Sequence, residues 1–257
     1  MKRSQQLSAF ERLLDIMDEL REQCPWDNKQ TFESLRHLTI EETYELGDAI
    51  LDNDLQEIKK ELGDLLLHIV FYAKIGSEQN TFDIGDVANE ICDKLINRHP
   101  HIYGDTKVDG ADQVIKNWES IKLKEGKNSV LEGVPKSLPA LVKAFRIQEK
   151  AAGVGFEWDN AKDVLDKVKE EITEFNQEVE DQNHDKMEDE FGDVIFSLIN
   201  YARYLKINPE SALERTNKKF IKRFKYIEES AKNEGKVINE LTLDQMEVFW
   251  NKAKNIA

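Results

Sequence analysis

Apolar residues recur every three to four positions along most of this chain, the period of a helix that packs one face inward. Leu7, Phe10, Leu13, Leu14, Met17 and Leu20 predict a helix from about 5 to 22, stopped by Cys24-Pro25-Trp26-Asp27. Thr31 is placed to cap a second helix, with Ser34 in its first turn, that runs to about Ile50. Asp52-Asn53-Asp54 then turns the chain into a partner helix from Leu55 to Lys74, with Leu62, Leu65, Leu66, Ile69 and Phe71 as its apolar side. A further helix from Asp86 to Asn97 is closed by Pro100. Between Gly104 and Gly133 glycines punctuate a more irregular stretch with a short helix around Trp118.

Pro139 restarts the pattern with a helix through Ala151 that carries Lys143, Arg146 and Lys150 on roughly one face. Gly153 to Asp159 breaks it. Helices follow over about 161 to 180 and 185 to 206, then a long one opened by Pro209 and Ser211, and a last one after Thr242 that ends near Trp250. Few stretches show the period of two that a strand needs, so the fold class is all-α. The domains are expected at 1–125 and 138–257, joined by a linker at 126–137.

The polar positions carry a second pattern. Glu41, Glu42 and Glu45, followed by Glu61 and Asp64, return as Glu170, Glu171 and Glu174, followed by Glu190 and Asp193, each 129 positions further on. E-E-x-x-E, a gap and E-x-x-D have thus been kept twice without an insertion, the mark of an internal repeat. The Trp26-Asp27 turn returns as Trp158-Asp159, at an offset of 132, a difference that a loop tolerates. On a helix, acids three and four apart share a face, and the turn after each first helix sets two antiparallel helices against each other with four or five carboxylates between them. So many like charges repel unless a cation sits among them, and all-oxygen ligands suit a hard ion such as Mg²⁺ or Mn²⁺. An acidic helix face turned to water is the common explanation of a charge run, but a solvated face needs no fixed spacing, and the duplication weighs against it.

The chain has 257 residues, room for two small domains or one larger one, and 40% of them are hydrophobic, ample for a buried core. Its net charge of -15 argues against a nucleic-acid or anionic-membrane surface. Two cysteines, Cys24 and Cys92, are too few for a disulfide framework or a zinc site and fit a reducing cytoplasm. No apolar run approaches the roughly 18 residues of a membrane span, and the first residues lead into charged sequence instead of a signal core. None of His37, His68, His99, His101 and His184 lies three residues after a Glu, which argues against a Glu-x-x-His di-iron bundle. There is also no G-x-x-x-x-G-K-[ST] phosphate loop.

The duplicated acidic motif, Cys24-Pro25-Trp26-Asp27 followed by Gln30-Thr31-Phe32-Glu33-Ser34-Leu35, and Val154-Gly155-Phe156-Glu157-Trp158 together resemble the MazG family of two-domain nucleoside triphosphate pyrophosphohydrolases over nearly the whole chain. Phe32 departs from the family pattern, which commonly has histidine there. The resemblance implies Mg²⁺-dependent cleavage of (deoxy)nucleoside triphosphates to monophosphate and pyrophosphate, in nucleotide-pool house-cleaning. It implies that Glu171, Glu174, Glu190 and Asp193 hold the metal, with Glu42, Glu45, Glu61 and Asp64 as first-copy equivalents. Glu170, or a carboxylate freed from direct coordination, is then the acid that orients or deprotonates the attacking water, with Glu41 as the candidate in the first copy.

Lys219 and Arg223, four apart on one helix face, resemble the family's basic pair for the polyphosphate, and Lys94 and Arg98 repeat that spacing. A solvated basic face is the competing explanation. Trp250 is a candidate for stacking on the base, against the more common role of packing anchor. The second copy is the favoured catalyst because Pro100 cuts the first copy's basic helix short. Two-helix sites rarely bury their apolar faces alone, so a homodimer is expected. The rival classes are an acidic helical module that binds a basic partner or buffers divalent ions without turnover, and an enzyme for another phosphorylated metabolite.

Overall fold

In the computed structural model, residues 2–110, 113, 114, 117, 118, 121 and 129–255 are described. The expected short helix around Trp118 falls largely outside them. All described secondary structure is helical, and the chain divides into two compact units, Met1–Val108 and Asp109–Ala257. Residues 126–128 of the expected linker are not described; Val130 belongs with the second unit, because its carbonyl accepts from the buried Lys150 Nζ at 3.1 Å. Among the described residues no helix is long and apolar enough to cross a membrane.

The first unit contains α1 (Arg3–Gln23), a 3₁₀ turn (Asp27–Lys29), α2 (Phe32–Leu51), α3 (Leu55–Glu78), α4 (Ile84–Arg98) and the short α5 (Pro100–Tyr103). Local chemistry sets these ends. Thr31 and Ser34 form a reciprocal capping box at the start of α2, and Asp54 Oδ1 accepts from Gln56 and Glu57 N–H at the start of α3. Between them Asn53 takes φ 54°, a left-handed conformation that Asn tolerates and that closes the hairpin. Met17, Leu35, Val70, Phe71 and Ile75 are nearly inaccessible and form the core where α1, α2 and α3 meet.

Phe32 explains its own presence there: its ring stacks on Tyr72 at 5.8 Å and lies 6.3 Å from Phe82, so it closes the core. Arg21 ties α1 to the Trp26-Asp27 turn. Its guanidinium pairs with Glu78 and donates to the carbonyls of Asp27, Asn28 and Gln30, which fixes where α2 begins.

The second unit contains α6 (Ala140–Gly153), α7 (Ala161–Glu180), α8 (His184–Tyr204), α9 (Pro209–Asn233), a 3₁₀ turn (Ile238–Glu240) and α10 (Leu243–Lys254). Its turn between α7 and α8 repeats the first: Gln182, 129 positions after Asn53, takes φ 55°. The Trp158 turn is again pinned by an arginine, here Arg203, which grips Glu157 with two hydrogen bonds of 2.8 and 2.6 Å. Ile227, Ala231, Leu241 and Phe249 form a smaller core between α9 and α10.

Lys143, Arg146 and Lys150, spaced to share roughly one face of α6, differ in their surroundings: Lys150 is buried, Lys143 donates to the Lys136 carbonyl and Arg146 pairs with Glu149. The apolar side of α3 is also split. Phe71 is buried, but Leu62, Leu66 and Ile69 are 52%, 38% and 48% exposed. They occupy a stripe one face round from the core, and the same stripe returns in α8 as Phe191, Ile195 and Leu198, at 53%, 38% and 47%.

Candidate metal centre and its duplicate

The α2–α3 hairpin sets Glu42 and Glu45, three residues apart on α2, opposite Glu61 on α3, and one carboxylate oxygen from each lies within 4.8 Å of the others. The α7–α8 hairpin does the same with Glu171, Glu174 and Glu190. The spacing read from the sequence therefore brings together three of the four expected acids in each copy. Asp64 and Asp193 fall outside these tight sets, one turn beyond Glu61 and Glu190. Asp64 remains near enough that its charge, after burial, helps hold the Glu42 carboxyl above the usual range.

The acids of each cluster crowd one another. Glu42 is pushed up by burial and then by Asp64, Glu45 and Glu61, and Glu174 by burial and then by Glu171. Glu61 is only 2% exposed, and its Oε2 has no hydrogen-bond partner. An unpaired carboxylate oxygen in that position is costly and fits a metal ligand. The all-carboxylate donor set suits a hard divalent ion.

Each cluster also holds a lysine that the motif did not reveal. Lys60 Nζ lies 2.9 Å from Glu61 Oε1, which lowers the Glu61 pKa through that hydrogen bond. In the second copy Lys167 Nζ lies 2.7 Å from both Glu171 and Glu170. The two lysines are not equivalent: Asp189 stands where the first copy has Lys60, and Leu38 where the second has Lys167. The available signal was local, since Lys167 precedes Glu171 by four residues on one helix face.

The other expected residues lie as follows. Glu41 and Glu170 are exposed neighbours of their clusters on α2 and α7, Glu170 held by Lys167. Lys219 and Arg223 are one turn apart on α9. Arg223 sets its guanidinium 5.4 Å over the Trp250 ring, which also meets the Phe220 ring at 5.2 Å, so Trp250 is engaged in packing between α9 and α10. Lys94 and Arg98 lie on α4, which ends at Arg98, whereas α9, 25 residues long, runs on past Arg223 to Asn233.

The MazG nucleotide pyrophosphohydrolase domain matches residues 30–103 and 160–227, one hairpin and its following helix in each unit. Over 96% of its length the chain is 41% identical to the nucleoside triphosphate pyrophosphohydrolase of Escherichia coli K12, covering 98% of that protein. It is 43% identical to the nucleoside triphosphate pyrophosphohydrolase/pyrophosphatase MazG of Thermotoga maritima over 95% of each chain. Its identity to the uncharacterized protein YabN of Bacillus subtilis is 46%, over 95% of this chain and 51% of that one. With the acids of both hairpins in the same arrangement and both hairpins inside the matched segments, the chain belongs to the MazG nucleotide pyrophosphohydrolase family and carries its domain twice.

Proposed function

We propose that the protein hydrolyses (deoxy)nucleoside triphosphates to the monophosphate and pyrophosphate, using Mg²⁺ or Mn²⁺, as a cytoplasmic enzyme that cleans the nucleotide pool. The observation that carries this reading is the pair of three-glutamate clusters, each closed by a lysine and each inside a segment matched by the pyrophosphohydrolase domain. Glu171, Glu174 and Glu190, with Asp193 one turn on, are the ligands in the second copy; Glu42, Glu45, Glu61 and Asp64 are those in the first. When bound, the ion neutralises the polyphosphate and stabilises the charge that develops on the leaving pyrophosphate.

The chain supplies the rest. Glu170 Oε1, held by Lys167, accepts the proton of the water that attacks the α-phosphorus, and the bond from that phosphorus to the α–β bridging oxygen breaks. Lys219 and Arg223 bind the phosphates, with Lys94 and Arg98 in the first copy and Trp250 near the base. The longer cationic helix α9 supports the second copy as the main catalyst.

A homodimer completes the fold. Leu62, Leu66 and Ile69 in α3 and Phe191, Ile195 and Leu198 in α8 leave the same apolar stripe uncovered in both copies, and a second subunit supplies helices to cover it. The test of activity is a panel of nucleoside triphosphates incubated with Mg²⁺ and separation of the products. Monophosphate and pyrophosphate are expected. Diphosphate and phosphate would contradict the reaction, and no turnover with any nucleotide would favour a binding module.

A further inference from the structure

We draw no further inference here: the strongest candidate, the acidic cavity at the closed end of the α2–α3 hairpin lined by Asp48, Asp52, Asp54 and Glu57, shares Glu45 and Glu61 with the metal centre already described and, beyond its acids, shows nothing that points to a ligand of its own.

Discussion

Lys167 holds its ammonium 2.7 Å from a carboxylate oxygen of Glu171, an acid that is itself 7% exposed. The pair raises the lysine's pKa, first through its hydrogen bonds to Glu170 and Glu171, so the ammonium stays charged at any neutral pH. It is an internal counter-ion in the place where a divalent ion is expected, and ligand and ammonium compete for one carboxylate. Removing it has two opposite consequences. Lys167→Met should bind Mn²⁺ more tightly in the absence of nucleotide, while raising KM for a triphosphate by about tenfold, because the anion loses a charged donor. Titration calorimetry and steady-state kinetics read the two effects separately.

Divalent ions should stabilise the fold through the same acids. Ions that bind only the native state at 100 times their dissociation constant add about 2.7 kcal/mol. Chelation should therefore lower Tm, and a Glu42→Gln, Glu171→Gln double variant should melt at one temperature with or without Mg²⁺. In the absence of ions Glu42→Gln itself should raise Tm at neutral pH. The Glu42 pKa is raised in the fold, so its stabilising contribution belongs to the protonated form and is lost as pH rises through that value.

Arg21 and Glu78 supply a pH dependence of the opposite sign. The hydrogen bond from Arg21 is the main cause that holds Glu78 below its ordinary value of 4.5. A depressed carboxylate contributes stability above the unfolded-state pKa and loses it as pH falls through the folded one. Glu78→Gln should thus destabilise the protein at pH 7, and the difference from wild type should vanish as the pH drops well below 4.5. Because Glu78 is 37% exposed, solvent screening keeps the effect small, on the scale of an exposed pair at about 1 kcal/mol or less. Urea melts at a series of pH values check it.

Much of this was legible in one dimension. Thr31, Asp54, Asn160 and Thr242 cap helices that begin where polar residues precede an apolar period, and Glu42, Glu45 and Glu61, like Glu171, Glu174 and Glu190, meet across their hairpins. Periodicity says that Leu62, Leu66 and Ile69 share a face, but not that α1 and α2 pack against a neighbouring one and leave them bare. A charge pattern likewise places Lys150 among cations without revealing that its tip reaches the Val130 carbonyl.

The uncovered stripes give a prediction about assembly. Leu66→Glu and Ile195→Glu each place a charge on a surface that a second subunit should cover, and burying it there costs far more than leaving it in water. Sedimentation should find a dimer for the wild type and a monomer for at least one of the two variants, with helical content unchanged. A wild-type monomer at micromolar concentration would remove the dimer from the account.

The central claim is that the acids of the second hairpin hold the ion that drives pyrophosphate release. It is tested most directly by measuring pyrophosphate formed from one triphosphate by the wild type, Glu171→Gln and Glu42→Gln, each at saturating Mg²⁺. One pyrophosphate per monophosphate is predicted for the wild type, a loss of about 100-fold or more for Glu171→Gln, and most of the rate retained by Glu42→Gln. Equal losses from the two substitutions would contradict the assignment to the second copy, and full activity in both would contradict the metal centre itself.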